Sequence, residues 1–169
     1  MDSELLHRHV GVHEAGHAVI ARVLKIPCGE AYVDLERKPI GFANLGSCVE
    51  TWSEWRGQRR RRKPRHMFIG MAMAGMAGAE AESVILGRNR CGDTNDRACI
   101  DVLLKGAPEG VEARLRSFAR TLIRRHKDSV IAVMRRLLSD TTLSDEDIRS
   151  IIRLSRWRFS DERARTAPV

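Results

Sequence analysis

The chain has 169 residues, of which 43% are hydrophobic and 31% charged; this is one domain's worth of sequence at globular composition, and it excludes wholesale disorder, collagen-like repeats and a second large domain. The formal net charge is +8, but Arg56, Arg59, Arg60, Arg61, Arg62, Lys63 and Arg65 form an acid-free run that supplies seven of those charges. The rest of the chain is close to neutral, so a nucleic-acid-binding surface spread over the whole domain is not expected.

The N-terminal stretch MDSELLHRHV lacks a basic start followed by an apolar core. No secretory leader is expected, and the cytoplasm is the default location. From about Ser3, Leu6, Val10, Val12, Ala15, Ala18, Val19, Ala21 and Val23 follow a helical repeat that Pro27 ends. The segment AYVDLERKPIGFANLGSCVE then alternates apolar and polar residues and is broken at Pro39 and Gly41, which predicts two short strands in a hairpin or small sheet. Trp52 and Trp55 precede the basic run. That run reads either as a solvated loop or as a docking site for phosphate, acidic peptide or a membrane surface.

A helix rich in small residues is expected from about Arg65 to Leu86, closed by Gly87. Its apolar part, Met67 to Leu86, contains Glu80 and Glu82, each of which hydrocarbon would penalise by roughly 3 kcal/mol, so it reads as a core helix of a soluble chain. A third helix starts near Asp93 or Thr94 as N-cap and ends by Gly106. After Pro108, Leu115, Phe118, Leu122, Ile123, Val130, Val133, Met134 and Leu137 keep helical spacing in one helix, or in two broken near His126. Ser144 and Asp147 suggest a capping box for a last helix. The expected layout is a domain over 1–155, with the basic loop 56–66 inserted, and a frayed tail over 156–169. Cys28, Cys48, Cys91 and Cys99 show no CxxC spacing and read as reduced thiols.

The residues richest in chemistry are His13-Glu14-Ala15-Gly16-His17, an HExxH pattern inside the first predicted helix. Residues four apart share a helical face, with Cβ atoms about 5–6 Å apart, so both imidazoles can reach one metal ion. Glu14 lies about 100° around the helix from His13, where its carboxylate can take a proton from a water on that metal. A catalytic zinc needs a third protein ligand and an open position. His9 and His13 are four apart as well, but a row of His9, His13 and His17 spans about 12 Å of helix and cannot close on one ion. His7 lies further upstream on the same helix, and His66 and His126 are isolated. Asp93, Asp96, Glu80 and Glu82 remain as carboxylates near close-packing sequence.

Three blocks, VHEAGHAVIA, MAGAEAESVILG and CGDTNDRACIDVLL, stand in this order and resemble the peptidase domain of the FtsH-type, AAA+-linked zinc metalloproteases. RTLIRRHKDSVIAVMRRLLSDTTLSDEDIRSII resembles that family's closing segment, so the likeness covers roughly residues 10–153. It implies a mainly α domain with a small β element, a Zn2+ cofactor, His13, His17 and Asp96 as metal ligands, and Glu14 as general base. It also places Glu82, with Asn95, among the residues that support the ligands, and it aligns the strand around Ile40, Gly41 and Phe42 with an edge element where a substrate chain adds as a further strand.

The departures from the family are definite. No Walker A loop, GxxxxGK[ST], and no transmembrane segment are found in the sequence. Alanine stands at position 79 where the family carries arginine. The function implied is a zinc-dependent metalloendopeptidase that hydrolyses unfolded or flexible polypeptides without its own ATPase, with a separate ATPase or a homo-oligomer as possible partner. The alternative is a non-catalytic metal-containing module that docks through Arg59, Arg60, Arg61, Arg62 and Lys63 on nucleic acid, an anionic membrane surface or an ATPase.

Overall fold

Helix α1 (Ser3–Val23) is buried along the whole stretch from His9 to Ala21, which makes it the central element that the rest of the fold surrounds. The computed structural model describes residues 3–26, 28–36, 40–43, 65–90 and 94–166. The basic run from Arg56 to Lys63, both tryptophans before it, and Asp93 lie outside the described residues, as do the side chains of Arg65, His66 and Asn95. In chain order α1 is followed by β1 (Ala31–Asp34), β2 (Ile40–Ala43), α2 (Arg65–Leu86), α3 (Thr94–Leu103), α4 (Val111–Arg125), α5 (Lys127–Asp140), β3 (Thr142–Leu143) and α6 (Asp145–Thr166). The protein is mainly helical, with a small antiparallel sheet.

The end of α1 is set by local chemistry. Lys25 adopts a left-handed φ of 57°, the Ile26 N–H returns to the Ala21 carbonyl at 2.8 Å, and Pro27 follows, which cannot continue a helix. Arg22 then ties this end to the rest of the molecule, donating to the Gly29 carbonyl at 2.8 Å and pairing with Asp145 at 2.8 Å.

Small residues decide how α2 meets α1. A Cβ on Gly16 would stand 2.7 Å from both the Ala77 carbonyl oxygen and the Ala81 Cβ, so the two helices touch backbone to backbone at this point. By length and composition α2 could cross a membrane, yet 67% of the apolar window in Met67–Leu86 is buried inside the fold, as in a core helix. Gly87, at φ 76°, closes it as the sequence suggests.

The sheet has the order β2-β1-β3. Ala31 pairs with Ala43 and Asp34 with Ile40, while Ala31 also faces Leu143. Ala31, Val33, Ala43 and Leu143 point into the core beside Val12 and Val19. The third strand has only two residues, too short to carry an alternation signal, and it is absent from the sequence reading for that reason.

The long amphipathic region is two helices. His126, at φ −113° and ψ 21°, is the break, and its N–H is shared by the Leu122 and Ile123 carbonyls. The Ser144–Asp147 capping box is formed: the Ser144 N–H donates to the Asp147 carboxylate at 3.0 Å and the Asp147 N–H to the Ser144 hydroxyl at 3.2 Å. Donation from the Ser144 hydroxyl, and then from its backbone N–H, holds the Asp147 carboxyl below its usual pKa.

Two expectations are corrected. The stretch after 155, read as frayed, is helical in α6 as far as Thr166; it contains no glycine or proline before Pro168, so nothing local stops the helix. Cys99, read as a reduced thiol, is disulfide-bonded to a partner outside the described residues, whereas Cys28 is free. Spacing along the chain did not reveal a pairing that depends on proximity in space.

Candidate metal centre

His13 and His17 lie one turn apart on the buried face of α1, with ring centroids 4.7 Å apart and planes at 77°. The seam with α2 orients each ring. The His13 Nδ1–H donates to Glu82 Oε1 at 2.7 Å, and the His17 Nδ1–H donates to the Ala74 carbonyl at 2.7 Å. With both Nδ1 atoms acting as donors to α2, each Nε2 is turned to the opposite side of its ring, where the neutral imidazole offers a lone pair.

Asp96 enters from the first turn of α3. Its Oδ2 stands 3.2 Å from His13 Nε2 and 3.4 Å from His17 Nε2. His13 Nε2, His17 Nε2 and Asp96 Oδ2 thus converge, and the cluster favours positive charge at its centre, carried by a proton on the imidazoles or by a bound cation. The same demand appears in the acid–base balance of the protein by itself. Burial pushes the His13 imidazolium down, but its hydrogen bonds to Asp96 and Glu82 outweigh this and hold its pKa up to about 10. Burial pushes the Asp96 carboxyl up, yet the hydrogen bond with His13 and the nearness of the His17 and His13 rings keep it far below the usual carboxylate range.

A metal ion satisfies this set. The three candidate ligand atoms lie within 4.8 Å of one another. For zinc bonds of about 2.0–2.1 Å, tetrahedral geometry places neighbouring ligands about 3.3 Å apart, against the 3.2 and 3.4 Å found here. The His17 Nε2 is buried without a hydrogen-bond partner. Space is kept beside the two nitrogens by Gly78 of α2: a Cβ there would lie 2.5 Å from His17 Nε2 and 2.6 Å from His13 Nε2.

Glu14 lies close to both histidines on α1, buried to 7% relative exposure. Strand β2 passes over it so closely that a Cβ on Gly41 would overlap the Glu14 side chain, and the Ala43 backbone N–H donates to its carboxylate. Burial raises the Glu14 pKa, an effect that His17 and His13 partly offset. A carboxylate with raised basicity beside two imidazoles is suited to accept a proton.

The supporting residues divide between two helices. Glu82 is fully buried on α2 and bridges to α1, its Oε2 also receiving the Arg90 backbone N–H at 2.7 Å. Asp96 depends on α3, which Ile100 anchors among Met73, Met76 and Leu115. Beside it, Arg97 forms a two-pronged pair with Glu112 of α4 at 2.7 and 2.9 Å. Glu80, another candidate from the sequence, faces elsewhere and pairs with Arg120 at 2.8 Å. Asp93, the Asn95 side chain and the docking-loop candidates Arg59, Arg60, Arg61, Arg62 and Lys63 fall outside the described residues.

Sequence reasoning missed two contributors. His9 was set aside as a ligand, yet it is fully buried and bonded to Glu82; its signal was the four-residue step to His13. Gly78 was one of many small residues in α2, and only the approach of α1 distinguishes it. Among known proteins, the chain matches no family model and no curated protein.

Proposed function

We propose that the protein is a zinc-dependent metalloendopeptidase acting on unfolded or flexible polypeptide, similar in its site to the FtsH-type peptidase domain. The observation that carries this reading is the convergence of His13 Nε2, His17 Nε2 and Asp96 Oδ2 at 3.2 and 3.4 Å with the Glu14 carboxylate buried alongside. The order of the three sequence blocks supports it independently.

In this reading His13, His17 and Asp96 hold the ion and leave a position open for water and substrate. Zinc, when bound, polarises a peptide carbonyl and lowers the pKa of water from 15.7 towards about 7. Glu14 takes a proton from the attacking water as the new C–O bond forms, then delivers it to the departing amine nitrogen as the C–N bond breaks. Burial under β2 keeps Glu14 basic enough for the first transfer, and the Ala43 N–H keeps the carboxylate oriented. Among the described residues β2 has a strand partner on one side only, and its Ile40 and Phe42 are half exposed, at 51% and 50%. An extended substrate pairing with that edge would lie next to Glu14, which matches a preference for chains without stable structure.

The test has two stages. Elemental analysis of protein purified without chelator or histidine tag should find zinc in the wild type and little in His17→Ala. Casein hydrolysis should then fall by about 10²–10⁴-fold or more in Glu14→Gln while metal content is unchanged. Iron in place of zinc, or full hydrolysis by Glu14→Gln, would overturn the reading.

A further inference from the structure

His9 stands one turn before His13 on α1 and is fully buried. Its Nδ1–H donates to Glu82 Oε2 at 2.7 Å, while His13 donates to Oε1 of the same carboxylate at 2.7 Å. The hydrolytic scheme uses His13 and explains Glu82 as its partner. It has no use for His9. Packing alone does not account for an imidazole here either, because His9 Nε2 is buried without a hydrogen-bond partner, and a buried polar atom left unpaired costs free energy that leucine or phenylalanine would avoid.

The terminal torsion of a glutamate is broad, so a carboxylate engaged through one oxygen can swing and carry its partner with it. Glu82 is engaged through both. The two imidazole donors come from successive turns of one helix, so the carboxylate of α2 is registered against the frame of α1 that also carries the ligands. The Arg90 N–H adds a donor to Oε2 at 2.7 Å but comes from the bend after α2, outside that frame.

We propose that His9 is a positioning residue for the metal centre, acting through Glu82 to fix the orientation and Nδ1–H tautomer of His13. The proposal rests on the metal-site reading above. It assigns the centre a relay of three side chains in which the outermost touches neither metal nor substrate.

The test compares His9→Phe, which keeps an aromatic ring but removes the donor, with His9→Asn, whose amide N–H₂ stands where the imidazole Nδ1 does. Zinc affinity of the full chain is measured by chelator competition, and the visible spectrum of the cobalt(II)-loaded protein reports ligand geometry. His9→Phe should bind zinc about 10-fold more weakly or worse and shift the cobalt bands, whereas His9→Asn should stay within about threefold of wild type, on the scale known for outer partners of metal-bound histidines. Wild-type affinity in His9→Phe overturns the proposal, and so does His9→Asn binding as weakly as His9→Phe, which is the packing outcome. Should His9→Phe not fold, nitrogen NMR of the wild type decides. Zinc addition should move the His9 ring signals along with those of His13 and His17, and an unmoved His9 overturns the relay. A wild type that takes up no zinc removes the metal centre and the relay together. A wild type that takes up zinc, with no response at His9, removes the relay alone.

Discussion

The α1–α2 seam and the Arg97–Glu112 link between α3 and α4 flank the candidate metal centre and are held by different physics. Between α1 and α2 the contact is dry and close: Gly16 lies against Ala77 and Ala81, Gly78 against the two imidazoles, and Glu82 is fully buried. Between α3 and α4 the Arg97–Glu112 pair is partly solvated, with side chains 42% and 32% exposed. Surface pairs of this kind are weak and screened by salt, whereas a buried seam cannot relax without opening a cavity or overlapping atoms. His13 and His17 therefore sit in the buried seam, whereas Asp96, on a short helix at 23% side-chain exposure, is the more solvated of the three candidate ligands.

The most severe way to break this contrast is at Gly78. Gly78→Ala fills the space against both Nε2 atoms, so metal uptake should be lost. Helical Gly→Ala gains about 0.5–1 kcal/mol in propensity, and circular dichroism should still report a folded helical protein. Full metal uptake by this variant would place the ion elsewhere.

A smaller effect is expected on the exposed side. Arg97→Gln should weaken zinc binding a few-fold at low salt, and its difference from wild type should shrink at 1 M salt, where the Debye length falls to about 3 Å from about 10 Å at 0.1 M. Chelator competition at the two salt concentrations measures this. A salt-independent loss would mean that Arg97 acts by packing.

The smallest effect concerns acid stability. Hydrogen bonds from Arg97 and then Arg116 hold the Glu112 carboxyl down to about 2 from an ordinary 4.5. A carboxylate depressed in this way stabilises the fold above its unfolded pKa, and that contribution is lost as pH falls from about 4.5 towards 2. Thermal melts of wild type and Glu112→Gln should therefore differ most near neutral pH and converge as the solution is acidified through that window. A difference that stays constant with pH would remove the ionic explanation.

Legibility in the sequence followed the range of each interaction. His13, Glu14 and His17 were readable because helix periodicity puts residues four apart on one face. The α2 boundaries and the capping box at Ser144 were readable for the same local reasons. Asp96 was one of four candidate carboxylates on residue pattern alone, and the family resemblance singled it out. Residues 83 apart in the chain, His13 and Asp96, meet at 3.2 Å, and no pattern within one helix encodes that meeting. β3 escaped because two residues carry no alternation, and the end of α6 because an expected fray left no chemical mark.

Sequence by itself determined that one turn of helix carries two imidazoles and a carboxylate, since spacing and backbone geometry suffice for that. Tertiary structure alone decided which distant acid completes the set, that Glu82 joins His9 to His13, and that Gly78 leaves the space open. Those outcomes depend on how closely α1, α2 and α3 approach, and that approach is set by the summed packing of small and apolar side chains from the whole chain.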